Sequence, residues 1–297
     1  MKNLIYGAIA LLSPLFTAFA QMPLKKQITV NNTNWTYYEA GPKNKNTIVL
    51  LYGWPQTSYV WRHNIQALSK NNHVIALDLP GMNPNSTVEQ YDTKYIATLL
   101  NQFLKNLQIT KPHVVGHDIG GWVAAAYAIH YEDELATLTV IDAGIPGLMK
   151  PEVFAPENAV KIWQFYFNAV NDIPEFLLDG KETEYLTWYF TNKAYNKKAI
   201  STDDILVYAA AYKNNMKPGF DYYRAFQQSS KQNVQLKNKL KLPVLAVGGK
   251  YAMANQVGLA MQEIANNVNT VVIEDSGHYV PEEQPEKLNQ ILLQHIQ

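Results

Sequence analysis

The sequence alternates between short apolar, β-branched segments and longer amphipathic segments over most of its length. This alternation is typical of an α/β fold in which helices join parallel strands. We predict strands at 27–30, 33–38, 47–52, 73–77, 113–116, 138–142, 244–248 and 270–273. We predict helices at about 57–68, 93–107, 119–130 and 285–295. The pattern therefore indicates a mostly parallel, doubly wound sheet.

The alternation stops between residues 144 and 239, a stretch rich in aromatic residues and without a convincing buried strand. A helical insertion after a strand predicts a cap over the carboxyl ends of the strands, where pockets of open α/β sheets lie. Ordinary packing of small helices is the alternative explanation for most of these aromatic residues. We predict a core at 21–143, a helical cap at 144–239 and a second part of the core at 240–297.

Residues 1–20 have a different character. Lys2 precedes an apolar run, and Ala-Phe-Ala at 18–20 resembles a cleavage site. This arrangement predicts a secretory signal peptide, while a membrane anchor is the alternative. We expect a secreted or periplasmic protein that has no stable membrane association after signal removal.

Composition excludes several functions. The 297 residues carry 25 basic and 25 acidic side chains, and only two of the basic ones are arginines, which argues against nucleic acid as a partner. The chain contains no cysteine, so a thiol nucleophile and a thiolate metal site are excluded. No His, Asp or Glu cluster has convincing metal-ligand spacing. We expect neither a metal nor an organic cofactor.

The most informative segment is 114–121, Val-Val-Gly-His-Asp-Ile-Gly-Gly. It predicts a strand, a tight turn centred on Asp118 and then a helix. Small residues on both sides of such a turn let the central side chain project above the sheet as a nucleophile. The alternative is that Asp118 caps the following helix.

An aspartate at this position changes the chemistry that a serine would perform. A carboxylate that attacks an ester gives an anhydride, and this intermediate brings little advantage over the ester itself. A carboxylate that attacks a saturated carbon gives an alkyl–enzyme ester that water can hydrolyse. The sequence therefore favours a substrate with an activated saturated carbon, either an epoxide or an alkyl halide.

Hydrolysis of such an ester requires a base, and His278 is the candidate. It lies in Ser-Gly-His-Tyr-Val-Pro at 276–281, between the last predicted strand and the last predicted helix. A histidine base needs a carboxylate that fixes its tautomer. The loop at 248–255 contains no acidic residue, so elimination leaves Asp142, at the end of another strand. A plain turn role before Gly144 is the alternative for Asp142.

Two further groups of residues could stabilise developing charge. Backbone N–H groups of Trp54 and Ile119 are candidates for an oxyanion hole. The cap offers an amide at Gln164 and phenols that stay protonated at neutral pH and can donate to an alkoxide. The chemistry alone does not choose among the phenols of Tyr166, Tyr222 and Tyr223.

Several motifs resemble those of α/β-hydrolase-fold epoxide hydrolases, and in particular the secreted bacterial Cif-like group. They are Gly-Trp-Pro-Gln-Thr at 53–57, Asp-Leu-Pro-Gly at 78–81, Gly-His-Asp-Ile-Gly at 116–120, Ala-Gly-Ile-Pro at 143–146, Phe-Asp-Tyr-Tyr-Arg-Ala at 220–225 and Gly-His-Tyr-Val-Pro-Glu at 277–282. The resemblance covers essentially the whole chain after residue 20. It implies an α/β-hydrolase fold with a helical cap, an epoxide substrate and a homodimer.

The resemblance also implies roles for individual residues. Asp118 would be the nucleophile, His278 the base, Asp142 its charge partner and Tyr223 the ring-opening phenol, with Trp54 and Ile119 as backbone donors. Three positions depart from the family pattern: Tyr52 replaces a histidine, Asp142 replaces a glutamate, and Gln164 replaces a second ring-opening residue. An amide donates a hydrogen bond but cannot deliver a proton.

Two other functions compete with epoxide hydrolysis. A haloalkane or haloacid dehalogenase would typically have Trp or Arg after the nucleophile, where this chain has Ile119. A catalytically silent interaction protein with the same fold is favoured by Gln164 and Tyr52. The joint presence of the predicted nucleophile, base, charge partner and phenol argues against that alternative.

Overall fold

A computed structural model describes residues 22–82, 86 and 88–297. The predicted signal peptide at 1–20 lies outside the described residues. Within them, eight strands form one sheet in the order β1-β2-β4-β3-β5-β6-β7-β8. The strands are β1 Lys25–Val30, β2 Thr33–Ala40, β3 Thr47–Leu51, β4 His73–Leu77, β5 His113–His117, β6 Thr137–Ile141, β7 Val244–Gly249 and β8 Val268–Ile273.

The sheet is parallel from β4 onward. Only the β1–β2 and β2–β4 pairings are antiparallel among the described strands. All residues of β3 to β7 are buried. Strands covered on both faces are continuously apolar rather than alternating, which explains runs such as Thr-Ile-Val-Leu-Leu in β3. The predicted mostly parallel sheet is therefore confirmed.

Helices flank the sheet and fill the long insertion. They are α1 Arg62–Leu68, α2 Thr93–Asn106, α3 Ile119–Tyr131, α4 Ala159–Phe167, α5 Ile173–Leu178, α6 Glu182–Lys193, α7 Thr202–Tyr212, α8 Lys217–Arg224, α9 Phe226–Asn233, α10 Gln256–Ile264, α11 Val280–Glu283 and α12 Pro285–His295. A 3₁₀ turn at Ser58–Trp61 precedes α1. None of the helices in the described ranges combines the length and apolarity needed to cross a membrane.

The insertion between β6 and β7 consists of α4 to α9 and short 3₁₀ turns, with no strand among its described residues. This helical content matches the expectation for 144–239. Helix α10 was not predicted from the sequence. It packs against β7 and β8, and its helical signal is weak because Val257 and Gly258 have low helix propensity.

A buried ion-pair network joins the insertion to the core. Arg62 of α1 pairs with Glu282 of α11 at 2.6 Å and with Asp204 of α7 at 3.1 Å. Burial raises the pKa of Glu282, but the Arg62 charge and hydrogen bonds oppose that increase. Because α11 follows the loop that carries His278, this network ties the cap to the loop of the candidate base.

Replacing Arg62 with Met should destabilise the protein by about 3 kcal/mol or more, because it leaves the Glu282 carboxylate buried without its cation. Chemical denaturation monitored by circular dichroism measures the free energy of unfolding. Lys105→Met is the matched control, since it breaks an exposed pair with Glu134. Equal stability of the Arg62 and Lys105 variants would contradict the argument.

Candidate active site

Asp118 occupies the turn between β5 and α3 with φ 51° and ψ −121°. Its side chain makes no capping hydrogen bond to α3, so the helix-cap alternative is wrong. The turn depends on close backbone approach: a Cβ on Gly116 would lie 2.2 Å from the Gly120 carbonyl oxygen. The positive φ of Asp118 is strained for a non-glycine residue, and such strain is typical of functional sites. The turn presents the Asp118 carboxylate above the sheet.

The two carboxylate oxygens of Asp118 have different surroundings. Oδ1 accepts a hydrogen bond from the Trp54 N–H at 2.8 Å, and the Ile119 N–H also donates to the carboxylate. Oδ2 lies 3.4 Å from His278 Nε2. The structure thus brings Asp118, Trp54, Ile119 and His278 together, with Oδ1 held by the Trp54 N–H and Oδ2 facing the imidazole.

Asp142 holds the opposite side of the imidazole. Its Oδ2 lies 2.7 Å from His278 Nδ1, and its Oδ1 accepts from the N–H groups of Gly249 at 3.0 Å and Met253 at 3.1 Å. The loop after β7 therefore contributes backbone donors to Asp142 rather than an acidic residue. With Nδ1 as the donor to Asp142, Nε2 is left to act on a water or on Asp118.

The charges in this cluster reinforce one another. Burial opposes the charge on His278, but hydrogen bonds to Asp118 and Asp142 outweigh it and raise the pKa of the imidazole to about 9. Burial likewise raises the pKa of Asp118, but its contacts with His278 bring that pKa below its usual value. The resting site therefore pairs the Asp118 carboxylate with an imidazolium at neutral pH.

His117 lies behind the catalytic cluster. Its Nε2 is 2.8 Å from the carbonyl oxygen of His278, and its ring lies 4.9 Å from the ring of His278. Burial and the His278 charge lower the pKa of His117 to about 3, so it is neutral and packs against the candidate base.

Tyr223 reaches the site from α8 of the cap. Helix α8 lies directly on the Trp54 indole, because a Cβ on Gly219 would be 1.9 Å from Trp54 Cζ3. Tyr223 is buried and packs edge-on against Trp122 and Phe165. Burial raises the pKa of its phenol well above the usual value, and the Asp118 charge adds to the effect. The phenol is a neutral donor near Asp118.

The other predicted cap contacts use their polar groups elsewhere. The Tyr222 hydroxyl donates to the Pro80 carbonyl at 2.7 Å, and the Tyr166 hydroxyl donates to the Phe154 carbonyl at 3.1 Å, with Tyr166 51% exposed. The Gln164 carbonyl oxygen accepts from Lys193 Nζ at 3.2 Å. The structure thus gives no support to Tyr166 and Tyr222 as substrate contacts, since each hydroxyl already has a partner.

Two residues near the site were not identified from the sequence. Tyr189 of α6 is buried and interacts with the Tyr223 hydroxyl. Lys193 ends α6; burial lowers its pKa, while the charges of Asp118 and Asp142 raise it. Tyr189 could have been identified from its spacing to Tyr185. The two residues are four apart, which places both phenols on one helical face.

Comparison with known proteins agrees with this architecture. The model of the alpha/beta hydrolase fold family matches residues 46–285. The soluble epoxide hydrolase of Corynebacterium sp. (strain C12) is 32% identical over 268 residues, which cover 88% of this chain and 92% of that protein. The chain belongs to the α/β-hydrolase-fold epoxide hydrolase family. The resemblance predicted from the motifs is confirmed.

Solved structures add to this result. Cfl2 from Burkholderia cenocepacia is 35% identical, with a TM-score of 0.87 and coverage of 92% of this chain and 95% of that one. The Cif epoxide hydrolase from Acinetobacter nosocomialis is 21% identical, with a TM-score of 0.84 and coverage of 94% and 90%. At that lower identity the likeness to Cif shows a common fold.

Metal-assisted hydrolysis has no candidate site in the described part of the chain, because no three His, Asp or Glu side chains converge there as metal ligands. The site does bring together carboxylates, an imidazole and backbone N–H groups, which can act in nucleophilic and acid–base catalysis.

The raised pKa of His278 predicts a specific pH dependence. The free enzyme should hold an imidazolium that deprotonates near pH 9, and Asp118→Asn should lower this midpoint because one of the two stabilising carboxylates is lost. Imidazole NMR titration measures both midpoints. A free-enzyme midpoint at or below about 6.5, the unperturbed value, would contradict the assigned contacts.

The same argument predicts the sign of the kinetic profile. Esterification of Asp118 would remove its charge and lower the pKa of His278, so ester hydrolysis should speed up as pH rises and level off below about pH 9. The expected ester formation needs ionised Asp118 and the protonated Tyr223 phenol, and both states persist over that range, so its rate should stay nearly constant. Single-turnover rates measured across pH separate the two steps.

Proposed function

We propose that this protein hydrolyses epoxides to vicinal diols through an ester on Asp118. The observation that carries the proposal is the division of the Asp118 carboxylate between two environments. Oδ1 is held by the Trp54 N–H at 2.8 Å, while Oδ2 lies 3.4 Å from His278 Nε2. The family supports the substrate class, since the Corynebacterium relative is a soluble epoxide hydrolase.

In the first step, Asp118 Oδ2 attacks one epoxide carbon. A bond forms between that oxygen and the carbon, the ring C–O bond breaks, and its electron pair moves to the epoxide oxygen. The Tyr223 hydroxyl donates its proton to this alkoxide. Tyr223 suits the role because its pKa is raised by burial, so the phenol is protonated before the reaction.

Before the second step, the imidazolium passes its proton through solvent to the Tyr223 phenolate, because ester formation has removed the Asp118 charge that stabilised it. Neutral His278 Nε2 then takes a proton from water, and the water oxygen attacks the Asp118 carbonyl carbon. Negative charge develops on Oδ1, where the Trp54 N–H already donates. The bond between the carbonyl carbon and Oδ2 breaks, the proton left on the attacking oxygen moves to Oδ2, and the diol leaves with Oδ2. Asp142 stabilises the imidazolium that is formed again, so the resting site is restored.

A single turnover in ¹⁸O-labelled water tests this mechanism. The diol from a panel of aryl and alkyl epoxides should contain no label in the first turnover, while the peptide with Asp118 gains one ¹⁸O. Label in the first-turnover diol would mean direct attack by water and would refute the ester. Absence of diol with every epoxide would favour the silent interaction protein, and halide release from alkyl halides would favour the dehalogenase.

We also propose that residues 1–20 are cleaved and that the protein is secreted or periplasmic. The support is Lys2, the apolar run that follows it and the Ala-Phe-Ala sequence at 18–20. N-terminal sequencing of the protein recovered outside the cytoplasm tests this, with Gln21 expected as the first residue. A homodimer is proposed from the family resemblance and is tested by light scattering.

A further inference from the structure

The resemblance to Cif-like epoxide hydrolases implies a second residue that donates to the epoxide oxygen, and Gln164 occupies the position of that residue. Its Oε1 accepts from Lys193 Nζ at 3.2 Å. Lysine only donates, so this contact fixes which end of the amide faces Lys193. Lys193 Nζ also donates to the Lys161 carbonyl at 2.9 Å. Gln164 is thus engaged in holding α6 to α4 and has no proton to transfer.

Helix α6 offers two phenols on one face. Tyr185 and Tyr189 are four residues apart, and their rings lie 5.7 Å apart. Tyr189 is 3% exposed, its hydroxyl interacts with that of Tyr223, and it lies within electrostatic range of Asp118. Lys193 Nζ lies 5.9 Å from the centre of the Tyr189 ring, within the range of a cation–π interaction.

A buried donor without a partner lies near the same phenols. The Tyr279 hydroxyl has no hydrogen-bond partner among the described residues, and it lies within electrostatic range of Tyr189 and Asp118. The Trp54 indole N–H and the Tyr185 hydroxyl interact with each other. Buried polar groups normally have partners, so the Tyr279 hydroxyl indicates that a polar ligand atom or water binds beside it.

We propose that Tyr189 is the second ring-opening residue, so that α6 and α8 together bind the epoxide oxygen through Tyr189 and Tyr223. This inference rests on the proposed function. As Asp118 Oδ2 bonds to carbon and the ring C–O bond breaks, one phenol transfers its proton to the alkoxide and the other donates a hydrogen bond to it. The phenolate regains its proton from the His278 imidazolium through solvent before ester hydrolysis, and His278 is protonated again by the attacking water, so no other reactant is needed.

The test is Tyr189→Phe, which keeps the ring and removes the hydroxyl. Rapid-quench mass spectrometry with styrene oxide measures formation and hydrolysis of the Asp118 ester separately. Ester formation should slow by about 10²-fold, within the range for loss of one charge-stabilising donor, while ester hydrolysis changes less than about threefold. The preserved second step shows that the variant is folded. Tyr131→Phe is the matched control, since its hydroxyl bonds Thr98 on the helix pair α2 and α3.

Other outcomes overturn the inference. If Tyr189→Phe forms the ester at the wild-type rate, Tyr189 is not a ring-opening residue. If ester formation and ester hydrolysis slow equally, Tyr189 has a structural role instead. A loss in Gln164→Leu as large as that in Tyr189→Phe would place the second donor on α4. If the wild-type enzyme forms no ester with any epoxide, the proposed function fails rather than this assignment alone.

Discussion

Asp118→Asn should lower kcat by at least about 10⁴-fold, the scale of loss seen when a member of a catalytic triad is replaced. The amide keeps an oxygen that can accept from the Trp54 N–H, the contact made at 2.8 Å in the native site. It loses the negative charge and the nucleophilic oxygen that faces His278. Activity should therefore disappear while the turn between β5 and α3 persists.

Diol formation and intact-protein mass measure this effect together. The wild-type chain should show a transient mass increase equal to one epoxide molecule, and Asp118→Asn should show none. Asp133→Asn, in the exposed 3₁₀ turn Glu132–Glu134, is the control for an aspartate-to-asparagine change elsewhere. Retention of more than a tenth of the wild-type kcat in Asp118→Asn would rule out Asp118 as the nucleophile.

His278→Gln should separate the two chemical steps. Ester formation needs the Asp118 carboxylate and the phenols, whereas ester hydrolysis needs the imidazole. We expect the ester to accumulate to one per chain and kcat to fall by about 10³–10⁴-fold. The loss of Nε2 removes the base, and the loss of Nδ1 leaves Asp142 Oδ2 without its partner at 2.7 Å.

The measurement is the fraction of the Asp118 peptide that carries the alkyl group after brief exposure to an epoxide. His63→Gln is the matched control, because His63 is an exposed residue of α1. It should leave both rates near those of the wild-type enzyme. Fast turnover in His278→Gln without ester accumulation would assign the base to another residue.

The central strands β3 to β7 could be predicted from the sequence because they are buried on both faces and form continuous apolar runs. Together with the strand–helix alternation, these runs were sufficient to place the eight strands within two residues of their observed bounds. The positions of Asp118, Asp142 and His278 followed as well. In a parallel sheet the turns and loops after successive strands meet at one edge, so residues far apart in sequence were expected to converge there.

The cap was less predictable in detail. Its helical content was expected, but composition alone did not show which side of each helix faces Asp118. Tyr166, Tyr222 and Tyr223 are chemically equivalent, and only packing separates the buried Tyr223 from the exposed Tyr166. The contact between Lys193 and Gln164 joins α6 to α4, and no local pattern encodes such a tertiary pairing.

The two oxygens of the Asp118 carboxylate have different contacts, and each therefore remains in the side chain for a different length of time. Under the proposed mechanism, the oxygen that faces His278 departs with every product molecule and is replaced from water. The oxygen held by the Trp54 N–H stays as long as the side chain does not rotate. One oxygen atom of the carboxylate is then replaced in each turnover, while the other is the atom that was present when the protein was synthesised.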